Sequence, residues 1–436
     1  GTQFGMLILH LRDNAPGALT GDVELAISDL VVLYKEAKAR FDGDETFQGA
    51  ARKEVVKLQA GDESSLAAWE ALVQQSERAF NQVYELLGID ERLETRGESF
   101  YNAMLPDVIE KLRETSLLQE SDGAQCVFLD GYKNRDGEPL PMIVQKSDGG
   151  FMYSTTDLAA ITQRASGDGE GAQRVLYVTD AGQSQHFEQV FEIGRLAGMA
   201  PSTVSLEHVP FGLVLGEDGK KFKTRSGETV KLMALLDEAL KRARADVTSR
   251  LESEGREESQ AFVDEVAHAV GIGAVKYADL SMNRNSNYKF SFNKMLSLNG
   301  NTAPYMLYAY ARIRGIQRKA TIKLVEEGGA QSEDELEAAL KGGELRLEAD
   351  AEVNLGRHLL RLGEVVREVE RDLLPSKLCE YIFELSGKFN QFYESCPVLN
   401  AESAELQRSR LALCGATASV LRLSLGLLGI EPLERL

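Results

Sequence analysis

Cysteine and histidine are scarce in this chain of 436 residues. The four cysteines, Cys126, Cys379, Cys396 and Cys414, have no Cys-X-X-Cys spacing, and the five histidines have no His-X-X-His spacing. The sequence therefore predicts no structural zinc site and no disulfide framework, because both need closely patterned ligands or cysteine pairs. Free thiols in a reducing compartment are the expectation.

Long apolar runs and an excess of positive charge are missing as well. No run approaches the roughly 18 apolar residues of a membrane-spanning helix, and the best candidate, 421–430, is broken by Arg422, Ser424 and Gly426. With 49 Lys and Arg against 68 Asp and Glu, the net charge is −19. This balance argues against a general nucleic-acid coat protein, which would be basic, but leaves open an RNA-binding protein with local basic patches.

The length suggests about two to four domains, and three patterns follow one another along the chain. Residues 22–88 have apolar side chains at spacings of three and four, which predicts helices, with Asp62 as an N-cap and Gly88 as a stop. Between 124 and 215, short apolar runs alternate with helical patterns, which predicts a parallel sheet with its ligand site beyond the carboxyl ends of the strands. From Phe262 onward the pattern is helical. The expected strands are 141–144, 174–178 and 208–215, and the expected late helices are 263–280, 303–320, 350–373, 377–394 and 402–428.

Four segments carry more specific information. In chain order they are Gly-Thr-Gln-Phe-Gly at 1–5, Ser-Asp-Gly-Gly-Phe-Met-Tyr-Ser-Thr-Thr-Asp-Leu-Ala at 147–159, Gly-Glu-Asp-Gly-Lys-Lys-Phe-Lys-Thr-Arg-Ser-Gly at 216–227, and Asn-Thr-Ala-Pro-Tyr-Met-Leu-Tyr-Ala-Tyr-Ala-Arg at 301–312. Each is weak alone, but together their order and spacing closely resemble the arginyl-tRNA synthetases, a family of class I aminoacyl-tRNA synthetases. The resemblance covers the whole chain, and the variant at 221–230 looks more eukaryotic than bacterial.

The resemblance implies a Rossmann-like α/β catalytic domain followed by an all-α anticodon-binding bundle of the DALR type. We expect the catalytic domain at 1–290, with a helical insertion at about 22–120 and a lysine loop at about 216–227, and the bundle at 291–436. The family's His-Ile-Gly-His-type motif precedes its Gly-Thr-Gln-Phe-Gly segment. The expectation is therefore an N-terminally truncated chain that lacks the first part of the fold.

An arginine pocket needs a carboxylate and neutral acceptors in the plane of the guanidinium, which has five N–H donors and no acceptor. The resemblance implies that Tyr153, Asp157 and Gln183 bind arginine. The residues alone leave alternatives: Asp157 as a carboxylate at a helix N-terminus, Tyr153 as a half-buried strand residue, and Gln183 as a turn residue. His186 falls where the family has a nucleotide-side residue, with a capping or packing histidine as the alternative.

Adenylate formation expels pyrophosphate and builds charge on phosphate oxygens, so cations and positioning are its main needs. The segment 220–225 contains four cations within six residues, at the place of the class I lysine loop, KMSKS. We expect Lys221, Lys223 and Arg225 to be catalytic, with Phe222 and Lys223 contacting the nucleotide; Lys223 and Arg225 are favoured for the phosphates. A solvated charged hairpin is the alternative.

The helical domain is expected to bind tRNA. Residues 282–290 are polar, lack helical periodicity and match the family's loop near the anticodon; amide and aromatic side chains suit splayed bases. Arg312 is suited to a phosphate, and Tyr393 matches a stacking position near the anticodon, with a core position as the alternative. The expected tRNA contacts are Asn283, Asn285, Tyr288, Arg312 and Tyr393.

The sequence therefore predicts an enzyme that makes arginyl adenylate from L-arginine and ATP and transfers the arginyl group to tRNA(Arg), releasing AMP and pyrophosphate. Mg²⁺ is expected with ATP, without a dedicated protein metal site. We expect a cytoplasmic location, leave an organellar one open, and expect a monomer or part of a larger assembly with no membrane partner. Without the His-Ile-Gly-His-type motif, the 436 residues are expected to be inactive alone. The alternative is a truncated, non-catalytic tRNA-binding or structural component of a larger assembly.

Overall fold

A computed structural model describes residues 2–19, 27–216, 218–220, 231–326 and 345–436. Its chain divides into two compact units, Gly1–Leu93 and Glu94–Leu436.

The elements described in the first unit are all helices. Its helices are α1 (Thr2–Asn14), α2 (Pro16–Leu19), α3 (Ile27–Gly43), α4 (Glu45–Gln59) and α5 (Glu63–Leu86). The predicted caps are confirmed: Asp62 accepts a hydrogen bond from the Ser65 backbone N–H at 3.0 Å, and Gly88 follows α5 with φ +60°. Ile8 of α1 and Leu72 of α5 pack in one of the small apolar cores of this unit.

The second unit begins with an α/β region. Its strands are β1 (Leu118–Ser121), β2 (Ala124–Lys133), β3 (Pro139–Gln145), β4 (Arg174–Asp180), β5 (Ser205–Phe211), β6 (Val214–Leu215) and, later in the chain, β7 (Tyr288–Lys289). Its helices are a 3₁₀ segment (Glu98–Met104), α6 (Leu105–Glu114), α7 (Tyr153–Ala165), a 3₁₀ turn (Ala181–Gln183) and α8 (Ser184–Leu196). The predicted strands 141–144 and 174–178 lie within β3 and β4. The predicted strand 208–215 is wrong as a single element, because residues 212 and 213 separate β5 from β6 and the two strands pair with different partners.

Parallel pairing is confirmed for β4 and β5, which pair from Arg174↔Ser205 to Asp180↔Phe211. It is wrong for β3, which pairs antiparallel with β2 in a three-stranded sheet. The tight turn at 134–138 explains this hairpin: the Asn134 side chain accepts from two backbone N–H groups of the turn, and Gly137 has φ +86°, which favours glycine.

One apolar core unites this α/β region. Helices α7 and α8 contribute Leu158 and Ile193, which are fully buried, and β3 contributes Val144. Tyr101 and Leu112 from the preceding helical segment belong to the same core. The carboxyl ends of β4 and β5 lie at one edge of this layer because the two strands are parallel.

The rest of the described chain is helical. Its helices are α9 (Leu232–Glu254), α10 (Gln260–Leu280), α11 (Phe292–Met295), α12 (Ala303–Glu326), α13 (Asp350–Leu360), α14 (Leu362–Asp372), α15 (Ser376–Ser395) and α16 (Ala404–Leu427). The predicted late helices are confirmed, except that the span 350–373 is divided at Arg361. A single core joins them, with Tyr277, Tyr310, Phe389 and Phe392 completely enclosed. Helices α9 and α10 share this core with the later helices, although they precede the expected boundary at 291.

Helix α16 is long and apolar enough to cross a membrane by length and composition. Half of its most apolar window is buried inside the protein, and Leu411, Leu421 and Leu425 lie in the bundle core. The apolar character of this helix is therefore accounted for by packing against its neighbours.

Candidate functional site

The first turn of α7 is fixed to the end of β3 by two side-chain hydrogen bonds. The Ser154 hydroxyl donates to the carbonyl oxygen of Ile143 at 2.6 Å, and the Thr155 hydroxyl donates to that of Val144. Both residues are buried. Because the hydroxyls satisfy strand carbonyls, the start of the helix cannot rotate freely. Asp157, in the next half-turn, is thereby held at the edge of the sheet.

The turn after β4 supplies a second set of polar groups. The Asp180 carboxylate accepts from the Gly182 backbone N–H at 2.8 Å, which caps the 3₁₀ turn before α8. Its other oxygen accepts from Gln183 Nε2 at 3.3 Å. Gln183 is therefore exposed and bonded within its own turn, and its role as an arginine ligand stays a prediction.

Three of the predicted residues come together between α7 and α8. His186 Nε2 lies 2.7 Å from Asp157 Oδ2, and the His186 and Tyr153 rings are 4.7 Å apart. The side chains of Asp157 and His186 are 29% and 14% exposed, and Tyr153 is 60% exposed. This arrangement leaves a partly exposed carboxylate in contact with an imidazole, which in turn packs against an exposed aromatic ring.

Sequence reasoning missed a second histidine behind this cluster. His208 Nε2 lies 2.8 Å from Thr179 Oγ1, which ties the ends of β5 and β4 together. The ring of Phe187, next to His186, stacks on the His208 ring at 5.2 Å. Burial lowers the pKa of His208. The available signal was a polar residue inside the apolar run at 208–215.

The expected lysine loop falls mostly outside the described residues. Lys221, Phe222, Lys223 and Arg225 are not described, so their predicted roles stay predictions. Just before them, the Gly216 backbone N–H donates to the Lys220 carbonyl oxygen at 2.8 Å. The Asp218 side chain accepts from the Lys220 backbone N–H at 3.0 Å. Gly216, Asp218 and Lys220 are therefore linked by hydrogen bonds.

The polar segment before β7 is more ordered than its composition suggests. Asn283 and Asn285 are exposed, and the Asn283 side chain accepts from the Asn285 backbone N–H at 3.1 Å. Tyr288, in contrast, lies in β7 beside Val214, and burial raises its pKa. The amides are therefore available to a ligand, whereas the Tyr288 ring is only partly accessible. The tRNA contacts of all three residues stay predictions.

Arg284, which sequence reasoning did not single out, connects this segment to both parts of the unit. Its guanidinium donates to the carbonyl oxygen of Pro210 in β5 at 2.7 Å. It also donates to the carbonyl oxygen of Leu373, after α14, at 2.8 Å. A single cation thus links the end of a catalytic-domain strand to a turn of the bundle.

The two predicted bundle residues lie near each other on neighbouring helices. Arg312 on α12 donates to the Asn390 side chain on α15 at 3.1 Å, and Asn390 donates to the Tyr305 hydroxyl at 2.9 Å. Tyr393, one turn beyond Asn390, is 40% exposed and stacks on the buried Phe389 ring at 6.1 Å. The exposed Tyr393 face and the Arg312 guanidinium form one polar and aromatic surface.

Within the described residues, no group of three or more His, Cys, Asp or Glu side chains could hold a metal ion. The four cysteines are free and buried. Burial raises the pKa values of Cys379 and Cys414 to about 12, so these thiols are protonated packing groups.

Comparison with known protein families divides the chain in two. Residues 1–292 match the family described as "tRNA synthetases class I (R), catalytic domain". Residues 306–436 match the DALR anticodon binding domain. The fold, with polar groups at the carboxyl ends of parallel strands and a helical bundle after them, is thus that of a class I aminoacyl-tRNA synthetase.

Individual relatives refine this class. The chain is 56% identical over 436 residues to the arginine–tRNA ligases of Cyanothece sp. and Nostoc punctiforme, covering all of this chain and 72% of each relative. Its structure matches arginyl-tRNA synthetase from Plasmodium falciparum with a TM-score of 0.80 and 35% identity, covering 100% of this chain and 68% of that one. The Thermus thermophilus enzyme matches with a TM-score of 0.74 at 21% identity, which supports the fold. The chain belongs to the arginyl-tRNA synthetase family, whose members ligate arginine to tRNA.

These relatives correct one expectation. The variant at 221–230 suggested a eukaryotic protein, but the relatives at 56% identity are cyanobacterial. The alternative of a non-catalytic structural component is not favoured either, because these relatives are ligases.

Proposed function

We propose that Tyr153, Asp157 and Gln183 bind the arginine substrate and that His186 orients the Asp157 carboxylate. The observation that carries this proposal is the 2.7 Å contact between His186 Nε2 and Asp157 Oδ2. A carboxylate offers about four lone-pair sites on its two oxygens. One hydrogen bond from an imidazole therefore fixes the group and leaves acceptors for the guanidinium.

The surroundings suit an arginine side chain. The exposed ring of Tyr153 packs against the His186 imidazole that contacts the carboxylate, and it can cover the planar guanidinium or the aliphatic stem of a bound arginine. Gln183 adds an amide from the turn after β4, where ligands of parallel α/β sheets bind. An open carboxylate with no arginine or lysine partner within its described surroundings has its charge available for a cationic substrate.

Two steps of chemistry follow. A carboxylate oxygen of arginine attacks the α-phosphorus of ATP, and the bond to the β-phosphate breaks, releasing pyrophosphate. The terminal ribose 2′-hydroxyl of tRNA(Arg) then attacks the activated carbonyl, and AMP leaves. Lys221, Lys223 and Arg225 would neutralise the phosphate charge, with Phe222 against the nucleotide. Mg²⁺ would arrive on the ATP phosphates. His186 would lie between the amino-acid and nucleotide sides.

Binding of tRNA would use the bundle and the segment before it. Asn283 and Asn285 offer exposed amides, and Arg312 and Tyr393 form the surface described above. Tyr288 would contribute only its accessible edge. These groups suit phosphates and unstacked bases, which are recognised by cations, stacking and edge hydrogen bonds. The proposed location of this enzyme is the cytoplasm.

The test of the arginine pocket is Asp157→Asn in an active form of the enzyme. It removes a charge that faces the guanidinium, and hydrogen bonds to charged groups contribute about 1.5 to 3 kcal/mol. We expect the KM for arginine in ATP–pyrophosphate exchange to rise by about tenfold or more, with the KM for ATP nearly unchanged. Asp168→Asn, which removes an exposed carboxylate from the loop after α7, at the other end of the helix, is the matched control. An unchanged KM and kcat for arginine would rule out Asp157 as the guanidinium ligand.

We further propose that the 436 residues alone do not form arginyl adenylate. Their sequence contains no His-X-Gly-His motif, which class I enzymes use to hold ATP opposite the lysine loop. One-sided contacts at 220–225 would leave the departing pyrophosphate poorly held. The test compares arginine-dependent exchange, with tRNA present, between this chain and a longer polypeptide that also carries such a motif. Comparable exchange by the shorter chain would refute the proposal.

A further inference from the structure

The last turn of α14 is capped by two arginines that belong to the catalytic domain. A helix ends with backbone carbonyl groups that have no partner inside the helix. The Arg174 guanidinium donates to the Glu370 carbonyl oxygen at 3.2 Å. The Arg284 guanidinium donates to the carbonyl oxygens of Leu373 at 2.8 Å and Asp372 at 3.4 Å. The negative end of this helix is therefore bonded to two cations from outside the bundle.

The two arginines differ in their other partners. Arg174 lies at the amino end of β4 and pairs with the carboxylates of Glu207 and Glu370, each at 2.7 Å. Arg284 donates instead to the carbonyl oxygen of Pro210 in β5 at 2.7 Å. Burial lowers the pKa of Arg284, and within the described part of the chain no carboxylate opposes this effect. Backbone carbonyl groups of β5 and of the helix end therefore compensate its charge.

The turn between α14 and α15 is held in an uncommon conformation. Leu373 has φ +53°, which few residues other than glycine adopt. Such a conformation persists where the surrounding structure holds it. The Leu373 backbone N–H donates to the Val369 carbonyl oxygen at 2.8 Å, and the Leu373 carbonyl oxygen accepts from Arg284. Lys377 of α15 also pairs with the Asp372 carboxylate at 2.5 Å, so the turn is bonded on several sides.

The strand end that Arg284 contacts lies beside the proposed arginine pocket. Pro210 is paired with Thr179 across the two parallel strands. Thr179 Oγ1 in turn lies 2.8 Å from His208 Nε2, which joins the strands a second time. Burial and the charge of Arg284 both lower the pKa of His208, so the two side chains are close enough to interact.

The backbone around Arg284 holds the same strand end. The Gly212 backbone N–H, just after β5, donates to the Arg284 carbonyl oxygen at 2.7 Å. A Cβ at Gly212 would lie 2.6 Å from the Ser286 carbonyl carbon, so this close approach requires glycine. On the neighbouring strand, Asp180 caps the next turn and accepts from Gln183. Arg284 therefore fixes one side of the strand pair whose other side carries Gln183.

We propose that Arg284 is a positioning residue for the arginine pocket: it fixes the carboxyl end of β5 against the α14–α15 turn, and thereby the neighbouring turn that carries Gln183. This inference rests on the proposed arginine pocket. The guanidinium suits the role because its rigid fork donates to groups on two elements at once. Arg284 itself does not contact the substrate. Because small displacements of a binding group have large kinetic effects, loss of this link should weaken arginine binding.

The test compares Arg284→Gln with Arg174→Gln in an active form of the enzyme. Both changes remove a contact between the catalytic domain and the last turn of α14, so both should lower the Tm. Arg284→Gln should also raise the KM for arginine in ATP–pyrophosphate exchange by about tenfold, with a smaller change in kcat. Arg174→Gln is the matched control, because Arg174 lies at the opposite end of the strands; its KM should change by less than about twofold.

The KM separates positioning from a loss of folded protein, which would lower kcat and leave the KM unchanged. A wild-type KM for folded Arg284→Gln, or an equal rise in Arg174→Gln, overturns the proposal. If Arg284→Gln does not fold, as judged by circular dichroism, Arg284→Lys decides, because it keeps the charge without the fork. A KM raised by about threefold or more in Arg284→Lys supports the proposal, and a wild-type KM overturns it.

Thr179→Val tests the route through the strand pair, because it removes the hydroxyl group that contacts His208. In the double variant with Arg284→Gln, the rise in KM should be smaller than the product of the two single effects by about threefold or more. A rise equal to that product overturns the route. The result is also separable from the test of the pocket. An effect of Arg284→Gln without one of Asp157→Asn would refute Asp157 as the ligand and support Arg284; the reverse would refute Arg284 alone.

Discussion

Polar side chains have opposite environments in the two parts of the second unit. In the first turns of α7, which follows β3, Asp157 and Tyr153 remain partly exposed, at 29% and 60%. In the helical bundle, Glu352 and Arg410 are almost completely buried and hydrogen-bonded to each other. Accessible charged groups can exchange a bound water or a neighbouring side chain for a substrate. Buried charged groups cannot, because their hydrogen bonds stabilise the fold.

The hydrogen bonds of the buried Glu352–Arg410 pair show how it stabilises the fold. Glu352 accepts from the backbone N–H groups of Glu348 and Ala349 at 2.7 and 2.9 Å, and from Arg410 Nε at 2.6 Å. Arg410 also donates to the Pro397 carbonyl oxygen at 2.9 Å. Burial opposes ionisation of Glu352, but these bonds outweigh it and lower its pKa. The network joins the start of α13 to α16.

The largest effect is expected from Glu352→Ala. It leaves Arg410 buried and unpaired, which costs about 3 to 5 kcal/mol of unfolding free energy. Glu405→Ala, which removes an exposed partner of Arg346, should cost less than about 1 kcal/mol. Urea denaturation of both variants measures these two losses of unfolding free energy. In an active form of the enzyme, the KM for arginine should stay unchanged in both variants. Equal losses of stability in the two variants would contradict the distinction between the buried, bonded carboxylate and the exposed one.

Tyr393→Ala tests whether a partly exposed side chain of the bundle binds tRNA or stabilises the core. If its exposed face stacks on a base, tRNA binding should weaken by about 1 to 3 kcal/mol. Tyr393→Phe keeps the ring and serves as the control. Filter binding with tRNA, together with thermal unfolding, distinguishes the outcomes. A loss of stability with unchanged tRNA affinity would assign Tyr393 to the core through its contact with Phe389.

A smaller effect concerns pH. His358 is buried, lies 3.0 Å from the Tyr381 carbonyl oxygen and stacks on the Tyr381 ring at 4.6 Å. Burial lowers its pKa below the unfolded value of about 6.5. Its contribution to stability is therefore complete above that value and is lost as the pH falls below it. Glu384, Lys388 and Arg361 are the nearby charges.

Measuring the unfolding free energy between about pH 7.5 and pH 5 tests whether stability falls with falling pH, because that interval spans the pKa of an unfolded histidine. The wild type should lose stability toward the acidic end more steeply than His358→Gln. Parallel pH profiles for the two proteins would contradict a buried, neutral His358.

Helices and caps were predictable because they depend on neighbours in sequence. The three- and four-residue spacing of apolar side chains and the cap at Asp62 are local signals, and the structure confirms both. The antiparallel pairing of β3 was missed because the signal lay in a short turn at 134–138. Strand direction depends on such a turn as much as on the apolar run.

The candidate site was predictable as a set of residues, but not as a geometry. Asp157 and His186 are 29 positions apart, and no local pattern indicates that they share a hydrogen bond. The same holds for Arg284 and Leu373, whose hydrogen bond depends on how the end of α14 lies near β5. Long-range pairing of this kind follows from the packed fold and has no periodic sequence signal.

The most direct test of the central claim compares arginine with citrulline, which replaces the guanidinium by an uncharged ureido group. Their binding, measured by competition in ATP–pyrophosphate exchange with an active form of the enzyme, should differ strongly, because in the proposed pocket only arginine would pair its charge with Asp157. In Asp157→Asn that preference should fall by about tenfold or more, as expected for the loss of a charge-assisted hydrogen bond. An arginine preference that survives intact in Asp157→Asn would contradict the account.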